Sequence, residues 1–219
     1  MIFSRRGKSG GRHARDERHS RDGRHAVASD TSDDAGQEPG HGPYDVSQAP
    51  AGGPPRLDLG SLQISAVEGV DIRVQANPDG AIQQVVLVHG DSALQLRVLA
   101  APRSEGIWDE IRDETRKSLY AEGVATEETD GEYGPELRAR VPAEGGLTDL
   151  RFIGIDGPRW MVHGVYQGSA ASDPASAGPL AESLAGLVVD RGDEAKPVRE
   201  PLPLRLPREM IEPSEPGPA

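Results

Sequence analysis

The sequence predicts an α+β fold: a largely antiparallel β-sheet with two helices packed on it, framed by disordered N- and C-terminal tails. Three observations carry the prediction. Short stretches of alternating apolar and polar residues fill the middle of the chain and are punctuated by hairpin turn dipeptides. One stretch, 104–123, switches to helical spacing. The ends are rich in glycine, proline and charge, with too little apolar surface to bury.

In chain order, residues 1–28 carry eight Arg or Lys, including Arg5, Arg6, Lys8 and Arg12, against Asp16, Glu17 and Asp22. They also hold His13, His19 and His25. This arm reads as a solvated tail, with contact to nucleic acid or an anionic membrane, or weak metal binding, as functional alternatives. No aromatic side chains for base stacking are interleaved with its arginines. Residues 29–55 turn acidic and end in Gly and Pro, so 1–55 is expected to be tail and linker, 56–207 a single α+β domain and 208–219 a second tail. A body of about 150 residues hides roughly 70% of its unfolded surface, enough for a core without staples.

Regular structure is expected from LDLGSLQI onward. Val70, Ile72 and Val74 alternate with Asp71, Arg73 and Gln75, a strand with one wet face. The turn at 77–80, the segment 81–89, a Gly90-Asp91 turn and the segment 92–101 extend it into a meander. Trp108, Ile111, Thr115 and Leu119 then share one helical face, with acids in the first turn, Asp113 within reach of Lys117 and Gly123 as the stop. Two strands are expected around an Asp130-Gly131 turn, with Leu137, Ala139 and Val141 on one face. Another pair is expected around Asp156-Gly157, within DLRFIGIDGPRWMVHGVY at 149–166. Pro179 opens a short helix presenting Leu180, Leu184 and Leu187, VVD is a last strand, and EPLPLRLPREM lies extended over the domain.

The chemistry is narrower than the fold. The chain has no Cys, which removes disulfides, thiolate metal sites and cysteine nucleophiles and fits a reducing, cytoplasmic setting. No secretory or transmembrane segment is recognised. Net charge is −12, and the basic arm leaves the remaining residues at −17, which disfavours nucleic-acid binding by the domain itself. Gly90-Asp91-Ser92-Ala93-Leu94 has only half of a nucleophile elbow and lies between two strands. Walker and dinucleotide loops are missing. His89 and His163 are the histidines of the ordered part, without metal-ligand spacing. Glu127, Glu128, Asp130 and Glu132 lack the spacing of a calcium loop. No catalytic, metal or cofactor residues are therefore assigned. Two tryptophans stand out among eight aromatics. Trp108 and Trp160 read either as core anchors, with nearby arginines pairing Asp109 or Asp156, or as a patch of Arg103, Trp108, Arg159 and Trp160 that recognises an anion or a protein partner.

At APRSEGIWDEIR (101–112), RFIGIDGPRWMVHGVY (151–166) and LPLRLP (202–207), the chain resembles the domain of unknown function 3710 family of uncharacterised actinobacterial proteins, over about residues 42–207. The resemblance implies a cytoplasmic protein and carries over no activity, cofactor or catalytic residue. Its element order is also similar to the antiparallel-sheet folds of Mog1 and PsbP type, by analogy alone. The function expected is a non-enzymatic binding or scaffolding domain recognising a protein partner or a small anion. The alternatives are an enzyme or small-molecule sensor using His163 with carboxylates gathered by the fold, and nucleic-acid or membrane contact through the basic arm.

Overall fold

A computed structural model describes residues 42–206, so the basic arm and the tail from 208 onward lie outside the described residues. The architecture is α+β. Seven strands, β4 (Asp71–Ala76), β5 (Ile82–His89), β6 (Ser92–Ala100), β7 (Thr126–Gly131), β8 (Gly134–Ala143), β9 (Gly146–Gly157) and β10 (Trp160–Gln167), form an antiparallel sheet. Its order is β4-β5-β6-β10-β9-β8-β7. It is built from two meanders, β4 to β6 and β7 to β10, joined where β6 pairs with β10. Helix α1 (Trp108–Ala121) connects them.

Alternation along the strands sorts residues onto two faces. Leu94, Leu96, Val98 and Ala100 of β6 join Ile153, Ile155, Trp160, Val162 and Tyr166 in the main core. That core is closed by α2 (Ser169–Ser172), the 3-10 turn Pro174–Ala177, α3 (Gly178–Ala185) and a second sheet. The second sheet has the order β1-β11-β3-β2, from β1 (Tyr44–Asp45), β11 (Val188–Val189), β3 (Leu62–Ser65) and β2 (Arg56–Asp58). The opposite face carries a smaller cluster of Ala101, Ile107, Trp108 and Met161 beneath α1.

Among the described residues pairing begins at Tyr44, inside the segment read as linker: Tyr44 and Asp45 lie parallel to Val188 and Val189. A two-residue strand has no periodicity to betray it. The expected final segment does lie extended. Leu202 N–H donates to the Val98 carbonyl at 2.8 Å, Arg205 N–H to that of Leu59 at 2.8 Å, and Leu202 is buried in the main core. Helix α2 was not foreseen; its four residues, SAAS, are too few to show a repeat.

Two turns sit later than their glycines suggest. β7 runs through Asp130 and Gly131, with Gly131 facing Gly134, and the chain reverses at Glu132-Tyr133. β9 likewise runs through Asp156 and Gly157, with Gly157 facing Trp160, and reverses at Pro158-Arg159. There Arg159, not a glycine, takes the positive φ of 64°. Both glycines answer a need for space. A Cβ on Gly157 would stand 2.2 Å from the Trp160 ring, and one on Gly131 would stand 2.0 Å from the Glu136 carboxylate.

Candidate functional site

The expected residues disperse. Trp160 lies in the main core and donates from its indole to Asp45 Oδ2 at 3.0 Å, whereas Trp108 lies under α1 and donates to the Pro135 carbonyl at 2.7 Å. They occupy opposite faces of one sheet, so Arg103, Trp108, Arg159 and Trp160 do not share a surface. Adjacent β10 residues point to opposite sides, and Trp160 and Met161 illustrate it. Arg103 is exposed, and the Arg159 carbonyl accepts from Ala101 N–H at 2.9 Å. The acids named as arginine partners are otherwise engaged. Asp109 pairs with Arg112 at 2.6 Å. Asp156 caps α1 from another element, accepting from Ile107 N–H at 2.8 Å and Trp108 N–H at 3.3 Å.

The histidines also hold structural positions. His89 Nδ1 lies 2.9 Å from the Gly69 carbonyl. His163 sits with Trp108 and Phe152, ring centroids 5.9 and 6.4 Å away. Burial, and then the charge of Arg97, push it down to about 4, so it is neutral near pH 7. Ser92 of the half elbow accepts from Ala170 N–H at 3.0 Å at the start of α2. The acidic cluster is divided by alternation, since Glu128 turns to Arg112 and Arg116 of α1 at 3.5 and 3.2 Å. Among the described residues no group of three or more His, Asp or Glu is placed to hold a metal ion.

A cleft of about 440 Å³ lies instead on the core side of the sheet, between the β7–β8 hairpin and the short helices. β8 contributes Glu136 and Arg138, β9 Arg151 and Ile153, β10 Tyr166 and the hairpin turn Tyr133. Pro174, Ala177, Ala181 and Leu184 form an apolar wall opposite them. Glu136 and Arg151 are almost fully buried, at 3% and 5% exposure, and pair at 3.3 Å. The same guanidinium donates to the Ala170 carbonyl at 3.2 and 2.9 Å and lies 4.1 Å from the centre of the Tyr166 ring. A buried pair needs such extra partners, because two charges taken out of water recover their solvation only in good geometry.

Arg138 differs. It faces Arg151 across the β8–β9 pair, and its Nε is buried without a hydrogen-bond partner. Thr129 Oγ1, on the neighbouring strand β7, is likewise buried and unpartnered. Orphaned buried donors of this kind are uncommon and costly. The two phenols stay protonated at neutral pH. Burial above all raises Tyr133 well above the ordinary tyrosine range, and burial pushes Tyr166 up to about 12 against the opposing charge of Arg151. The cleft thus presents a cation with an unpartnered donor beside an apolar wall, with Asp130 and Glu132 at its hairpin side.

The pattern PELRAR places Glu136 and Arg138 on the strand face opposite Leu137 and Ala139. Only the return of α2 and α3 over it makes it a cleft.

Comparison with known proteins gives one family and one solved structure. The family model described as protein of unknown function (DUF3710) matches residues 42–213. No curated protein matches the chain. The solution structure of cyanobacterial PsbP (CyanoP) from Synechocystis sp. PCC 6803 is similar over 65% of this chain and 98% of that one, with 13% identity and a TM-score of 0.35. A likeness that slight carries no argument.

Proposed function

The chain belongs to the DUF3710 family of proteins of unknown function, and from that premise we propose that it is a non-enzymatic binding domain whose cleft takes a small organic molecule with an apolar body and a single carboxylate. The observation that carries this reading is Arg138, a cation on the cleft with a buried, unpartnered Nε, in a cavity of about 440 Å³. Pockets of roughly 300–1,000 Å³ suit small ligands, with a few polar groups fixing orientation and apolar walls supplying contact. Binding is favoured over catalysis by what the remaining polar groups are already doing. Glu136 and Arg151 neutralise one another, and Tyr133 and Tyr166 are held protonated, so they support hydrogen bonding more readily than proton abstraction. Asp130 and Glu132 at the hairpin disfavour ligands of higher negative charge.

The test is calorimetric titration of the full chain with phenylacetate and its neutral amide. The acid is expected to bind more tightly than the amide. Arg138→Gln is expected to weaken the acid by about tenfold or more, the scale of one charged hydrogen bond, and to leave the amide unchanged. Equal affinity of both probes, no binding of either, or an unaltered Arg138→Gln protein refutes the reading.

A further inference from the structure

A second polar recess, apart from the cleft, lies where three distant segments of chain converge. It is a cavity of about 290 Å³ lined by Gly60 and Ser61 of the β2–β3 turn, by Asp190, Arg191, Gly192, Glu194 and Lys196 after β11, and by Pro203 and Arg205 of the extended final segment. In a body dominated by acids, three cations gather here.

Arg191 and Arg205 have no ion pair among the described residues, and Lys196 is held only by two long ion pairs. Arg191 is 8% exposed, and its Nη1 donates to the carbonyls of Gly192, at 3.5 Å, and Glu194, which fixes the guanidinium within its own loop. Its Nε is buried without any partner. Lys196 is 17% exposed, and the carboxylates of Glu194 and Glu200 stand 3.8 Å from its Nζ, beyond hydrogen-bond length. Glu194 itself is 86% exposed, so its side chain is largely solvated. Arg205 has no ion pair among the described residues and lies across Gly60. A Cβ at Gly60 would stand 3.1 Å from Arg205 Cγ, and Gly60 already holds a positive φ of 87°. Asp190 is engaged locally, accepting from Gly192 N–H at 3.0 Å.

We infer that this recess binds a phosphate-type oxyanion, either inorganic phosphate or the phosphoryl group of a small metabolite. An anchored arginine offers a planar fork suited to tetrahedral oxyanions, and a lysine and a second arginine add charge from two further directions. The site spans the β2–β3 turn, the loop after β11 and the final segment, so an occupant ties the segment's end to the second sheet. Ser61 Oγ already donates to the Pro203 carbonyl at 2.9 Å along this seam. Ligand held only in the folded state stabilises it by mass action.

The experiment is thermal unfolding of the full chain with increasing inorganic phosphate, against sodium chloride of equal ionic strength, with a phosphate monoester such as glycerol 3-phosphate as a third arm and ³¹P NMR to report binding. A saturable rise in melting temperature with phosphate beyond the chloride control is expected. Arg205→Gln and Lys196→Gln, at positions that are exposed and partly exposed, are each expected to weaken binding about tenfold without loss of folding. Tighter binding of the monoester marks an organic phosphate as the occupant, and equal or weaker binding marks the free ion. Phosphate acting no differently from chloride, or acting on both variants as strongly as on the native protein, overturns the inference. Carboxylate titration of the cleft is a separate measurement, so failure here leaves the Arg138 reading standing.

Discussion

His163 shows how one side chain's setting becomes a property of the whole protein. Its ring meets Trp108 and Phe152, and it faces Arg97 across the β6–β10 pair, so protonation in the folded state meets desolvation and a like charge. The folded group is pushed down to about 4, while the unfolded chain takes up its proton near 6.5. Between those values the unfolded state binds more protons, so stability from this site is complete above about pH 6.5 and is lost as pH falls toward 4. The loss approaches about 3 kcal/mol. Urea denaturation at pH 7 and pH 4.5 should show this drop in the native protein and a smaller one in His163→Leu. Equal drops would mean that His163 does not titrate in this window. Sequence alone placed His163 on a strand and favoured a partly buried structural ring over a base from that setting, but it could not name the ring's neighbours, which come from α1 and β9.

At the level of elements, α1 is held by contacts its own sequence does not contain. Its Ile107 and Trp108 amides are capped by Asp156 of β9, and its Trp108 ring lies on Gly154 of the same strand. A Cβ at Gly154 would stand 2.1 Å from Trp108 Cδ2, so alanine there forces the helix off the sheet. Gly154→Ala is expected to destabilise the protein by about 3 kcal/mol, the upper range for an overfilled core, and Trp108→Leu in that background should recover part of it. Denaturation midpoints of the single and double variants would check this; additive losses would show that the two positions are independent. The helix itself was legible from its 3.6-residue period and from Gly123, where φ is 78°. The β7–β8 and β9–β10 hairpins were legible too, and Pro158, which cannot donate to a ladder, does lie at the second reversal, but both reversals fall beyond the Asp-Gly pairs expected to make them. Gly131 and Gly157 serve close approach by Glu136 and Trp160, a demand that appears only when strands lie side by side.

For the molecule as a whole, the final segment matters more than its prolines suggest. Leu202 is 3% exposed within the main core, and the segment around it bonds to β6 and to Leu59. Leu202→Ala is expected to cost about 2–4 kcal/mol, as for other large buried aliphatics. Chemical denaturation reads this directly; a cost below about 0.5 kcal/mol would mean that the segment rests on the domain without holding it. Local periodicity sufficed for the α+β class, the antiparallel meanders, α1 and α3, because each is written in the spacing of consecutive residues. The two recesses were another matter. Glu136, Arg138 and Arg151 look like a solvated face until α2 and α3 return over them, and Arg191, Lys196 and Arg205 become one cation cluster only when the ends of three segments meet. Secondary structure follows from neighbours in sequence. A binding site depends on which distant residues share a desolvated volume, and only the tertiary fold decides that.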